Sequence, residues 1–223
     1  MATTTGQRIG IWVIASIMLI GTLGGFIAMM VTPGNAVKDQ EALAKEQEQW
    51  NQSIEAWQAK VDERNAKLSE KHLPVFSQFT SRPSVFEKDS VPELRKEDLL
   101  TGEGQEITEE SKFAVYYILW GPDGKVIEQS IKDGALGSPL EVEKLSDAQL
   151  IDGWKQGLIG MKIGGVRELA IPSELAYGET GSGESIPANT PLKFVVMAID
   201  WPEQIAIPEM PPLVKKEYQR NGY

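Results

Sequence analysis

The chain has no cysteine. That excludes disulfides, thiolate nucleophiles, cysteine-built zinc sites and a lipid-modified cysteine anchor. It is also short of positive charge: 22 Lys and Arg stand against 32 Asp and Glu, for a formal net charge of −10. A polyanion repels phosphate backbones, so nucleic acid is excluded as a partner. Two local absences say more. Residues Ile9 to Val31 contain no charged side chain, and residues Val37 to Lys71 contain no proline and no glycine.

The first gap reads as a membrane anchor. A helix rising ~1.5 Å per residue over such a run spans ~30 Å, the thickness of a bilayer core. Pro33-Gly34-Asn35 stops it. A cleaved signal peptide has a shorter apolar region, about 7–15 residues; a cut near Gly34-Asn35-Ala36 is the alternative. Arg8 in a tail without acids places residues 1–8 in the cytoplasm and the rest outside. The expectation is a single-pass protein of a bacterial cell membrane, touching lipid through residues 9–31. Gly21 and Gly25 have the spacing that lets membrane helices approach closely.

The second gap, with its Glu, Gln, Lys and Ala, predicts a helical stalk over residues 36–72. Leu43, Trp50, Ile54, Trp57, Val61 and Leu68 lie on a heptad seam. Gln47 and Arg64 interrupt it. The seam either lies against the chain's own domain or pairs two chains as a homodimer. The single histidine, His72, reads as a surface residue at the helix end. Pro74, Pro83 and Pro92 break any helix beyond it, making residues 73–98 a connector.

Hydrophobic residues make up 41% of the chain, enough for a globular core. Phe113 to Trp120 is rich in β-formers. Pro122-Asp123-Gly124-Lys125 predicts a turn into Val126 to Ser130. Val166 to Ile171 alternates like a half-buried strand, and Leu192 to Trp201 is another strand. Ser146 with Gln149 has the spacing of a capping box. A helix follows, with Leu150, Ile151, Trp154 and Leu158 on its apolar face and Gly157 and Gly160 at its end. Residues 99–202 thus predict an α+β domain, an antiparallel β-sheet wrapped around one short helix. Residues 203–223 form a proline-rich tail, expected to be extended and without a partner.

Three stretches together, Leu150 to Trp154 (LIDGW), Leu175 to Gly178 (LAYG) and Thr190 to Asp200 (TPLKFVVMAID), resemble the FKBP-type peptidyl-prolyl isomerases. The resemblance covers about Leu99 to Trp201 and is most specific from Leu150 to Gly181, where Trp154, Tyr177, Gly178, Thr180 and Gly181 fall at family spacing. It implies a chemistry with no nucleophile, no metal and no cofactor. It further implies that Trp154 is the floor of an apolar pocket and that Leu150 and Ile151 edge it, the Ile151 N–H bonding a substrate carbonyl. Tyr117 would be a wall, Tyr177 would offer its hydroxyl to substrate, Ile186 would be the flap and Phe194 the deep aromatic. Proline-containing polypeptides are the implied partners.

The chain departs from the pattern at four positions. Ile127-Glu128 stands where the family usually has Phe-Asp, Leu140 replaces a pocket phenylalanine, and Ser182 replaces a frequent histidine. A wider pocket with slower turnover and poor macrolide binding follows from these changes. Glu128 would brace Tyr117 or polarise the site. The expected function is isomerisation of X-Pro bonds in extracytoplasmic proteins folding at the membrane surface. Two other readings stand beside it: a chaperone module that holds such segments without turning them over, and a stalked scaffold. Met210-Pro211 in the tail resembles a substrate, so a tail docked in the pocket is a further alternative.

Overall fold

The computed structural model describes residues 36–220. The anchor expected at residues 9–31 lies outside them. Among the described residues, no helix is long and apolar enough to cross a membrane.

Helix α1 spans Ala36–Phe76. It runs past Pro74, where the sequence predicts a break. Proline removes one helical hydrogen bond, and packing outweighs that loss: Phe76 is fully buried, with Leu68, Leu73 and Val75 packed into the same cluster. His72 is buried too, at 9% exposure, its ring 6.4 Å from that of Tyr116. The expected surface histidine is therefore an interior one. Burial holds its pKa below the ordinary value, and Lys71 adds to the shift.

Residues 65–202 form one compact unit. Its strands are β1 (Arg95–Leu100), β2 (Phe113–Trp120), β3 (Val126–Gln129), β4 (Ile131–Lys132), β5 (Ala135–Leu136), β6 (Leu140–Val142), β7 (Val166–Ile171) and β8 (Leu192–Ile199). The main sheet runs β1-β7-β8-β2-β3, with β6 also on β2, and every pairing is antiparallel. Strand β1 begins in the stretch read from sequence as connector, residues 73–98, and crosses its predicted end. Strands β4 and β5 make a separate small hairpin.

Strand β2 is apolar at every position because both faces of the sheet are covered. Phe113, Val115 and Leu119 join an inner core with Trp154, Leu158, Leu169, Ile171, Phe194 and Val196. Ala114, Tyr116, Ile118 and Trp120 join an outer core with Phe76, Val195, Met197 and Ile199. Strand β7, expected to be half-buried, is buried along its whole length. Its charged residues are paired. Arg167 meets Asp98 at 2.6 Å, and Glu168 meets both Arg82 and Lys193.

Helix α2 spans Asp152–Leu158. Ser146 does not cap it: the N-cap is Ile151, and the Ser146 hydroxyl donates to Asp147 instead. Nor does Gly157 end the helix. A Cβ at Gly157 would lie 2.8 Å from Leu169 Cδ1, and one at Gly153 would run into Ile171. These glycines let the helix lie flush on β7.

The second unit holds α1 up to Arg64 and the chain from Glu203. The tail is neither wholly extended nor without a partner. Arg64 Nη1 donates to Glu203 O (2.9 Å), Trp57 Nε1 to Ile205 O (3.1 Å), and Leu213 N–H to Glu46 Oε2 (3.0 Å). The tail therefore runs antiparallel to α1. It ends in helix α3, Pro212–Arg220, where Val214 is buried. Trp50 on the heptad seam is buried within this unit.

Candidate active site

Helix α2 presents Trp154 to strands β2 and β8. The Trp154 indole stands edge-on to Tyr117, with ring centroids 5.4 Å apart, and edge-on to Phe194 at 5.3 Å. Tyr117 and Phe194 lie 6.5 Å apart. Edge-to-face contacts at such distances are favoured by the aromatic quadrupole. Trp154 and Phe194 are buried, whereas Tyr117 is only partly so.

The other residues predicted from sequence gather at the same core. Ile127, Leu140, Leu150, Ile151 and Tyr177 are partly buried against it, and Ile186 is inside it at 6% exposure. Ile186 is held by a tight loop. Ser182 N–H donates to Ile186 O at 2.7 Å, and Ile186 N–H returns a bond at 3.2 Å. Gly181 in this loop has φ +66°, and a Cβ there would strike Ile186 O; only glycine fits.

Ile151 precedes the helix in an extended conformation, φ −61° and ψ 149°. Its carbonyl accepts from Trp154 N–H (3.0 Å) and Lys155 N–H (3.3 Å). Its own N–H has no acceptor among the described residues. Ile151 is only partly buried, so this N–H is open to an incoming carbonyl.

Glu128 sits on the exposed side of β3, opposite Leu119. Burial raises the Tyr117 phenol above its ordinary pKa, and a hydrogen bond to Glu128 raises it further. The Tyr177 phenol is also raised, first by burial and then by the Glu128 charge. Both hydroxyls stay protonated at neutral pH and remain donors.

Some supporting residues escaped sequence reasoning. Arg167, 5% exposed, donates to Gly157 O (2.8 Å) and Ile159 O (3.2 Å) while its other nitrogens grip Asp98. Lys96 Nζ donates to Gln156 O at 2.9 Å. The last carbonyls of a helix lack partners within it, so these cations hold the floor helix from its end. An arginine inside the apolar run VRELAI was the available signal. Ser130, whose hydroxyl accepts from Tyr117 N–H at 2.8 Å, gave none. Among the described residues, no cluster of His, Asp or Glu could hold a metal ion.

The family described as FKBP-type peptidyl-prolyl cis-trans isomerase matches residues 103–199. An FK506-binding protein of Neisseria meningitidis serogroup A is 39% identical over 100 residues, which are 45% of this chain and 88% of that protein. FK506-binding protein 4 of Dictyostelium discoideum is 38% identical over 46% of this chain, but only 27% of its own length is spanned. The Arabidopsis thaliana peptidyl-prolyl cis-trans isomerase FKBP15-1 is 42% identical over 37% of this chain and 52% of its own. The chain belongs to the FKBP-type peptidyl-prolyl cis-trans isomerases, and isomerisation of X-Pro peptide bonds is its activity.

Proposed function

We propose that the protein isomerises X-Pro bonds in extracytoplasmic polypeptides at the membrane surface, held there by residues 9–31. The ring cluster of Tyr117, Trp154 and Phe194 is the observation that carries the pocket. Rotation about an X-Pro bond breaks amide resonance at a barrier of ~18–20 kcal/mol. Resonance places negative charge on the carbonyl oxygen, and that charge falls as the bond twists. A dry aromatic pocket stabilises the planar amide less than water does, so the twisted state gains relative to it. The proline ring would sit over Trp154, between Tyr117 and Phe194, with Ile127 and Leu140 as side walls. Ile151 N–H and the Tyr177 hydroxyl would orient flanking carbonyls, and Ile186 would close over the substrate. Glu128 would hold Tyr117 in place. No proton changes hands.

The test is a cis-to-trans assay with Leu-Pro and Met-Pro peptides on the full-length protein in detergent. Acceleration lost in both Trp154→Ala and Tyr177→Phe supports the site. Acceleration retained in both places it elsewhere. The anchor is tested separately, by alkaline extraction of membranes. Release into the soluble fraction would end the membrane reading.

Pairing of two chains through α1 is a further proposal, supported by the heptad spacing. The chain's own tail already lies along this helix. Removing residues 203–223 should therefore favour pairing, and a monomer by sedimentation after that truncation would count against it.

A further inference from the structure

The edge of β2 is split. Strand β6 pairs with Phe113 to Val115, and β3 with Ile118 to Trp120. Tyr117 falls in the gap, and Ser130 takes the place of the missing ladder there. The Ser130 hydroxyl accepts from Tyr117 N–H at 2.8 Å, and Ser130 N–H donates to Tyr117 O at 2.9 Å. The Ser130 carbonyl then accepts from Gly137 N–H at 3.0 Å, at the end of the β4–β5 hairpin.

Helix α1 grips that hairpin. Leu136 N–H donates to the Ser69 hydroxyl at 2.9 Å in a buried bond, and Asn65 Nδ2 donates to the Ser138 hydroxyl at 2.8 Å. Leu136 is 3% exposed and Ser69 is 7% exposed. Leu140, a pocket wall, follows Ser138 by two residues. A short run of hydrogen bonds thus links α1, outside the family's matched segment at 103–199, to the backbone of Tyr117.

We propose that Ser69, assisted by Asn65, is a positioning residue for the isomerase. It fixes the β4–β5 hairpin and, through Ser130, the placement of Tyr117 and Leu140. The inference rests on the pocket described under the proposed function. Without the Ser69 hydroxyl, the buried Leu136 N–H loses its acceptor and the hairpin loosens. The wall then spends less time in the shape that receives proline, which weakens substrate binding more than it slows the bound complex.

The experiment measures kcat and KM separately for the full-length protein in detergent, with a Leu-Pro peptide. Ser69→Ala should raise KM by about threefold to tenfold and leave kcat within about twofold. Ser69→Thr, which keeps the hydroxyl, should restore KM. Amide exchange should quicken at both Leu136 and Tyr117 in Ser69→Ala. An unchanged KM, or faster exchange at Leu136 with Tyr117 still protected, overturns the proposal and leaves Ser69 a local cap. If Ser69→Ala does not fold, Asn65→Ala carries the same test, and its unchanged KM is equally fatal. Trp154→Ala run alongside separates the two readings. Activity lost there but intact in Ser69→Ala sinks the coupling alone. Activity intact in Trp154→Ala sinks the pocket and the coupling together.

Discussion

The two faces of the sheet are built from the same strands and do different work. Toward α2, β2 and β8 present Tyr117 and Phe194, and Trp154 closes on them at 5.3 to 5.4 Å. Toward α1 they present Tyr116, Trp120, Val195 and Met197, covered by Phe76 and its neighbours. The inner face is left partly open at Tyr117 and Tyr177, whereas Tyr116, Trp120, Val195 and Met197 on the outer face are buried. Aromatic residues alone therefore do not mark a site. What separates the inner aromatic cluster from the outer core is the incomplete burial of Tyr117 and Tyr177.

That contrast can be broken from the outer side first. Starting the chain at Val91 removes the cover and exposes Tyr116, Ile118, Trp120 and Met197 at once; loss of soluble protein is expected, checked by expression and sedimentation. A soluble, active product would show that the outer core is dispensable. More gently, Phe76→Ala should cost about 3–5 kcal/mol of stability, read from urea unfolding, while folded molecules keep their catalytic efficiency.

The inner side should answer the other way. Trp154→Ala should remove most of the catalytic efficiency in the peptide assay, out of proportion to its effect on folding. Glu128→Gln is milder. It keeps a hydrogen-bond acceptor for Tyr117 but loses the charge, and a fall in kcat/KM of about twofold to fivefold is expected. Because the Tyr117 and Tyr177 phenols are both raised, the wild-type rate should stay flat from neutral to mildly alkaline pH.

The smallest effect belongs to His72. Its folded-state pKa is lowered by burial and by Lys71, with Asp200 opposing. The unfolded chain takes up the proton near pH 6.5, so the folded state is disfavoured as pH falls below that value. Its contribution is whole above pH 6.5 and declines on acidification. Melting temperature should drop between pH 7.5 and 5.5 in the wild type, and less in His72→Gln. Equal slopes would show that other groups carry the acid sensitivity.

Much of the inner face was legible in the sequence. The β-former run of β2, the turn at Pro122-Asp123-Gly124-Lys125 and the family resemblance carried by LIDGW, LAYG and TPLKFVVMAID led to residues that do gather at one core, among them Tyr117, Ile127, Trp154 and Phe194. These signals are local, since side-chain period and turn chemistry are set within a few residues. The start of α2 was misread because a capping box is only a local preference. Gly153 and Gly157 seat the helix on β7, and Ile151, not Ser146, precedes its first turn.

By itself the sequence determined strands β2, β3, β7 and β8, the family spacing from Leu150 to Gly181, and the helical composition of α1. Tertiary structure alone decided that α1 continues through Pro74, that His72 lies inside, that β7 keeps Arg167 and Glu168 buried by pairing them, and that the tail folds back along α1 into a helix. Each of those outcomes depends on a partner far away in the chain: Phe76 on Tyr116, Arg167 on Asp98, Leu213 on Glu46. A local propensity is worth a few tenths of a kcal/mol to about 1 kcal/mol per residue, and a cavity in the core or an unpaired buried charge costs more than that.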